Sequence, residues 1–361
     1  MDFVSPIFDL YTDYLLINQG QTTATGLEAL LEGKLKHDSV TRALSEKDYS
    51  SKDLWIAVKK FVRQIETKEG VLILDDTVEE KPYMDENDMI CWHHDHCQKR
   101  TLKGINQLTA LYYSQQVSLP VGYQIITKTK WVKDAKSGKD KRISAVTKQE
   151  RFRQLITQSI TNEVIFSYVL ADSWFCSAEN INFIDNAQRL FIMPLKSNRK
   201  VALSRADKAK GNYQVIESLA IEDKQVLPVY VEAVDFPLLL TTQVFQNKDG
   251  SEGKIYLLTN DSTADSQQIQ TIYQMRWKVE EFYKSVKSNT GYAKSPAHRV
   301  RTQSNHLFLS MLAFVKLEAL KMSTKMNHFA IKSLLSLNAL KRAWQGLQSL
   351  KANNTLLNYY A

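Results

Sequence analysis

Apolar residues recur along this chain in two rhythms. From residue 1 to about 66 they come at helical spacing, in runs broken at Gln19-Gly20, Gly33 and Ser50-Ser51, which predicts a compact helical N-terminal unit. At Val71-Leu72-Ile73-Leu74 the rhythm changes to four consecutive apolar residues, the mark of a strand buried on both faces, and this strand runs into Asp75-Asp76-Thr77. Gln107 to Tyr113 and Val121 to Ile126 read as a hairpin turning at Ser118-Leu119-Pro120, and a helix is expected over Lys148 to Ile160. Val164 to Ala171 is a second β-rich run, closing on Asp172-Ser173, with a helix beginning near Ser177. After the apolar run Arg189 to Leu195 come short β-like stretches (Gln225 to Val234, Leu238 to Phe245, Lys254 to Leu258) and the turn Asn247-Lys248-Asp249-Gly250, which predict an inserted β-rich subdomain. Gln267 to Ser288 lacks Gly and Pro and predicts one helix with Ile272, Met275, Val279, Phe282 and Val286 on its apolar stripe. Amphipathic helices follow at Asn305 to Lys321 and Ala330 to Ser349, placed to cover the sheet or support a dimer.

Three acidic positions draw attention by where they fall. Asp75 and Asp76 directly follow the apolar strand, and neighbouring strand residues point to opposite faces, so one can face a cleft while the other turns away. Asp172 ends the second β-rich run in the same local setting. Glu280 shares the later helix with Tyr273, Arg276 and Lys287, at offsets of 3, 7 and 14 residues counted from Tyr273. At about 100° per residue these four fall within roughly 60° of arc, apart from the face that packs. Each feature has a plainer explanation: an acid after a strand caps a turn or helix, and Glu and Lys at helical spacing form a solvated face. Together, however, two strands and one helix deliver three carboxylates, which is the ligand set that two-metal phosphoryl transfer requires of hard, oxygen-loving cations.

Asp76 in LDDT, Asp172 in LADSWF and Tyr273-x2-Arg276-x3-Glu280-x6-Lys287 resemble the DDE transposases of bacterial insertion sequences, in the subgroup defined by a Tyr-Arg-Glu-Lys signature. The resemblance covers about Leu72 to Lys287. It implies an α/β fold, a ribonuclease-H-like catalytic core with an inserted β-rich subdomain, joined here to a helical N-terminal domain. The expected domains are 1–66 (helical, DNA-binding), 67–199 (first part of the core), 200–260 (β-rich insertion) and 261–361 (second part of the core with C-terminal helices). It further implies cut-and-paste transposition, through a hairpin-ended DNA intermediate in the better-known members. By this match Asp76, Asp172 and Glu280 hold Mg²⁺, with Mn²⁺ able to substitute, and Asp75 is the lesser candidate of its pair. Tyr273, Arg276 and Lys287 contact DNA phosphate near the cleaved end, with Lys284, Trp174, Arg299 and Arg301 as further DNA contacts. A homodimer is the expected active form, on the terminal repeats and target DNA, in the bacterial cytoplasm at the nucleoid.

Composition agrees with this picture without establishing it. A net charge of +8 favours an anionic partner, and three cysteines (Cys91, Cys97, Cys176) are too few for a disulfide framework, which points to a reducing compartment. There is no signal-like N-terminus, and no apolar run reaches the roughly 18 residues of a membrane span. His37 to Leu44, capped by Asp38 or Ser39, reads equally as the recognition helix of a helix-turn-helix-like arrangement or as part of a generic bundle. Cys91-Trp92-His93-His94-Asp95-His96-Cys97 packs five potential zinc ligands together, but no second cluster follows; the segment reads instead as lying beside Asp76, with Lys99, Arg100 and Lys103. Lys128 to Arg142 and Lys294 to Arg301 are basic stretches that either track a DNA backbone or are simply solvated. Trp174 and Trp277 stand beside Asp172 and Arg276, placed either for stacking on an unpaired base or for core packing. Two other functions fit the same residues: a structure-selective nuclease without strand transfer, and a non-enzymatic DNA-binding descendant of a transposase.

Overall fold

The computed structural model describes residues 5–95, 100–135, 138–246 and 249–352. Helices α1 (Pro6–Ile17), α2 (Ala24–Leu30), α3 (His37–Glu46) and α4 (Ser51–Ile65) come first. Strands β1 (Val71–Glu80), β2 (Ile90–Asp95), β3 (Arg100–Ser114), β4 (Val117–Ile125), β5 (Lys130–Lys133) and β6 (Asp140–Ile143) follow, then α5 (Lys148–Thr161), β7 (Tyr168–Leu170), α6 (Ala178–Asn186) and β8 (Leu190–Leu195). Next come β9 (Lys200–Val201), α7 (Arg205–Lys210), β10 (Gln214–Val215), β11 (Val226–Val229), β12 (Leu238–Gln246) and β13 (Glu252–Thr259). The chain closes with α8 (Ser266–Gln274), α9 (Trp277–Asn289), α10 (Val300–Thr324) and α11 (His328–Ala352). No helix among the described residues is long and apolar enough to cross a membrane.

Residues 50–283 form one compact unit, built on a mixed sheet. At its centre Val71 to Leu74 are buried, as the unbroken apolar run requires. β1 pairs antiparallel with β3 on one side and parallel with β7 on the other; β3 pairs with β4, and β7 pairs parallel with β8. The order β4-β3-β1-β7-β8, with α5 carrying the crossover into β7, suits the expected ribonuclease-H-like core. The strands between residues 226 and 259 extend this sheet beyond β8 in the order β13, β12, β11. Tyr256 pairs with Leu195, so the backbone groups at the β8 edge are satisfied by the very segment read as an insertion. The first hairpin turns at Gln115-Gln116, not at Ser118 to Pro120. Both glutamines take left-handed φ values, 49° and 62°, as a two-residue turn requires. Pro120, without an N–H, sits inside β4 at the irregularity between Ala110 and Leu111.

Residues 1–49 and 284–361 form the other compact unit. The N-terminal helices therefore close on the C-terminal ones. Tyr11 Oη meets His306 Nδ1 at 2.9 Å, and the Asn305 amide donates to the Leu44 and Lys47 carbonyls at 2.9 and 2.7 Å. Helix α4 belongs to the sheet-bearing unit, where the Ser51 hydroxyl donates to Gln158 and its buried stripe Leu54, Trp55, Val58, Val62 and Ile65 finds a partner surface. The N-cap of α3 is Lys36, without a side-chain cap bond, in place of the Asp38 or Ser39 expected.

A Cβ at Gly104 would stand 2.2 Å from the Glu79 carbonyl oxygen across the β1–β3 ladder. Gly104→Ala is expected to destabilise the fold by roughly 1–3 kcal/mol, the usual cost of overpacking against backbone. Gly211→Ala serves as the surface comparison, because no atom stands within 4 Å of its Cβ position and only its φ of 72° opposes the change. Urea titration measures both, and an unchanged midpoint for Gly104→Ala would show that the ladder gives way there.

Candidate active site

The parallel register of β1 and β7 ends at Ile73 opposite Leu170, and two residues further along each chain stand Asp75 and Asp172. Strand alternation splits the aspartate doublet. The Asp76 carboxylate accepts from Asn106 Nδ2 at 2.9 Å and from Lys148 Nζ at 2.8 Å. Asp75 accepts the backbone N–H of Asp76 through Oδ1 at 2.8 Å, and its Oδ2 lies 3.6 Å from Arg276 Nη1. Arg276 in turn donates from Nη2 to Glu280 at 2.6 Å. Asp172 Oδ1 accepts the backbone N–H of Trp174 at 3.0 Å, a bond that holds the carboxylate at the strand end. Tyr283 Oη donates to the Asp75 carbonyl at 2.7 Å and so fastens α9 to the middle of β1.

The signature segment is two helices rather than one. At the junction Met275, Arg276, Lys278 and Val279 all bond back to the third residue before them, a tightened turn that separates α8 from α9. Tyr273 is buried on α8 and Glu280 lies on the first turn of α9, so they do not share one continuous face. Arg276, at the junction, reaches both Asp75 and Glu280 with the Tyr273 and Trp277 rings 5.9 and 5.3 Å away. Trp174 is 46% exposed, with Lys148 Nζ 5.9 Å from its ring. Lys284, Lys287, Arg299 and Arg301 belong to the other compact unit. There Lys284 lies over the Phe329 ring, Lys287 is half-buried near the end of α9, exposed Arg299 is the N-cap of α10, and Arg301 pairs with Asp48 at 2.8 Å.

Burial pushes the Asp75 carboxyl up to about 7, with the negative charges of Asp172 and Asp76 adding to the rise and Arg276 opposing it. Asp172 is also raised, by burial first and by Asp76, against the Trp174 N–H. Crowded carboxylates of this kind fit a hard divalent cation in donor chemistry: all are oxygen ligands, and their mutual repulsion is what a cation relieves. As placed, the acids form no single cage, and among the described residues no three His, Cys, Asp or Glu side chains stand close enough to hold a metal ion. Glu280 is turned onto Arg276 and Asp76 onto Lys148.

Lys148 and Asn106 were not singled out in the sequence. The signals lay in the capping box Thr147–Glu150, which fixes Lys148 at a helix start, and in polar Asn106 interrupting an apolar strand. In the histidine-rich segment, Cys91 is buried with Sγ 3.1 Å from the Asn87 carbonyl, His93 is buried and His94 is exposed. His96, Cys97 and Lys99 lie outside the described residues.

Residues 8–213, more than half of the chain, match the family described as DDE superfamily endonuclease. The match includes Asp75, Asp76 and Asp172 and stops short of the Tyr273–Lys287 segment. A solved structure, the Drosophila P element transposase strand transfer complex, aligns with 99% of this chain and 89% of its own at 8% identity. The TM-score of that alignment is 0.26. No curated protein matches the chain.

Burial pushes the His93 imidazole down to about 4 from 6.5, with Lys128 and Lys148 adding and Asp76 opposing. The folded chain then binds fewer protons here than the unfolded one, so this contribution to stability is complete above pH 6.5 and is lost as the pH falls toward 4. The expected loss is roughly 3 kcal/mol. Urea midpoints at several pH values for the parent and His93→Asn should show a shallower acid dependence in the variant; equal slopes would remove His93 as the cause.

Proposed function

This chain belongs to the DDE superfamily of endonucleases, and on that footing we propose that it is a DNA transposase of a bacterial insertion sequence, of the Tyr-Arg-Glu-Lys subgroup. The observation that carries this reading is the Asp75-Asp76 doublet in the middle of β1 standing level with Asp172, just past the end of the parallel strand β7, with Arg276 bridging Asp75 and Glu280. Asp76, Asp172 and Glu280 are the proposed ligands of Mg²⁺, or of Mn²⁺ in its place; the bound ions supply Lewis-acid stabilisation of the reacting phosphate and an acidified water. Asp75 is the weaker ligand, because one of its oxygens is tied to the backbone N–H of Asp76 and the other faces Arg276.

The remaining residues bind and orient DNA. Arg276 is a rigid, planar cation beside the acids, suited to opposing charge that builds on a phosphate during displacement. Tyr273 backs its guanidinium, and half-exposed Trp174 offers a ring face on which an unpaired base can stack. Lys287 is assigned to phosphate near the cleaved end, and Lys284, Arg299 and Arg301 to further DNA phosphates. Water attacks the phosphate first, and a freed 3′-hydroxyl then attacks in the joining step, with cleavage passing through a hairpin end. Two copies act together on the element's ends at the nucleoid.

The test is a plasmid carrying the DNA that flanks the coding sequence on both sides, incubated with purified protein and Mg²⁺. Cleavage at the element's ends and joining to a second plasmid are expected; cleavage without joining would make the protein a nuclease. Asp76→Ala, Asp172→Ala and Glu280→Ala should each lower cleavage by at least about 10³-fold, and Asp75→Ala by about tenfold or less. The reverse order within the doublet would reassign the ligand to Asp75. Arg276→Ala and Lys287→Ala should each reduce the salt dependence of end binding by about one unit of slope. Slopes matching the parent would leave these two residues as structural.

A further inference from the structure

Two cations sit among the acids, and they differ in kind. Arg276 is held from both sides, by Asp75 and Glu280, with aromatic rings near its guanidinium. Among the described residues Lys148 pairs with one carboxylate, Asp76, at the end of a flexible four-carbon stem. Its backbone is fixed, because it opens α5 behind a complete capping box of Thr147 and Glu150, so only the side chain is free to move. The side chain is 26% exposed, and the Trp174 ring offers its ammonium a second resting place on the open side. Beside it, Asn106 is 3% exposed, donates to Asp76 through Nδ2, and has an Oδ1 with no hydrogen-bond partner among the described residues. A buried acceptor without a donor is costly, and it marks the Asp76 pocket as built for more than the lysine it holds.

Resting on the transposase reading above, we propose that Lys148 is the resident counter-cation of Asp76 and gives that carboxylate up when DNA arrives, so that metal loading depends on DNA. Lys148 stands 2.8 Å from Asp76 Oδ2, on the carboxylate a divalent cation would share. A monovalent ammonium and a divalent ion on one carboxylate, in a partly buried place, repel each other strongly. The lysine must therefore leave before the ion is held well. A DNA phosphate gives it somewhere to go, at a position its stem can reach without any backbone movement. Arg276 cannot serve this purpose, because its planar fork is held by two carboxylates at once. The coupling is reciprocal: DNA tightens the cation and the cation tightens DNA, by the same factor. In the absence of DNA the lysine keeps Asp76 neutralised and the protein a poor metal binder.

The test is Mn²⁺ binding to the full-length protein, followed by electron paramagnetic resonance, with and without a short blunt-ended duplex. For the parent, DNA should tighten Mn²⁺ binding by about tenfold. Lys148→Gln, which keeps most of the stem and removes the charge, should bind Mn²⁺ without DNA within about twofold of the parent's DNA-bound affinity. Lys148→Arg should restore the weak DNA-free binding. Lys148→Met serves as a second neutral variant, with circular dichroism melting to show that each is folded. Equal DNA-free affinities for the parent and both neutral variants would overturn the proposal while leaving the metal reading intact, provided Asp76→Asn abolishes Mn²⁺ binding. If Asp76→Asn binds as the parent does, Asp76 is no ligand and both the assignment and the proposal fall. Absence of Mn²⁺ binding to the parent with and without DNA would reject the metal-dependent reading as a whole.

Discussion

Everything at the candidate site depends on how β1 is held. Its residues Val71 to Leu74 are buried between an antiparallel partner, β3, and a parallel one, β7. That burial leaves little freedom for slippage, since a one-residue shift would turn the apolar set outward and interchange the faces of the two aspartates. The parallel register brings Asp172 level with the doublet, and the Tyr283 hydroxyl on the Asp75 carbonyl sets the helix that carries Glu280. An acid from each of three separated stretches is thereby placed by packing, and Lys148 and Arg276 pair with Asp76, Asp75 and Glu280 to offset their repulsion.

That repulsion is the tension within the site. Burying carboxylates side by side raises Asp75 and Asp172, and the fold offsets the cost with one cation on each face of the strand. Arg276 and Lys148 are in this sense part of the same construction as the acids they neutralise. The tightened turn between α8 and α9 sits at Arg276 itself, which reaches Asp75 on β1 and, four residues on, Glu280.

Much of this was legible in the residues. The buried strand before Asp75-Asp76, the helix opening at Lys148, the helix capped by Ser177 and the long C-terminal helices all follow from local pattern. Four things did not. The break at Met275 and Arg276 occurs in a segment with neither Gly nor Pro. The hairpin turns on two glutamines in left-handed conformation, while the nearby proline that attracts notice lies within a strand. The strands after β8 look like a separate subdomain by their position in the chain, yet they complete an open sheet edge. Lys148 and Asn106 matter through contacts 72 and 30 residues distant, a distance that periodicity does not carry.

The turn at Gln115-Gln116 has a consequence for how the molecule is made. It closes β3 onto β4 locally, and hairpins of this type form on a microsecond scale. The pairing of Val71 with Tyr168 spans 97 positions, and loop closure over such a length must be met before any parallel contact is gained. A chain leaving the ribosome can therefore complete the β1-β3-β4 meander while β7 is still unmade, and Glu280 emerges more than a hundred residues after Asp172. Translation order and contact order thus agree in making the acid cluster the last part to be completed. A chain that stops between Asp172 and Glu280 carries a closed stretch of sheet and the three aspartates, without the carboxylate proposed to join them.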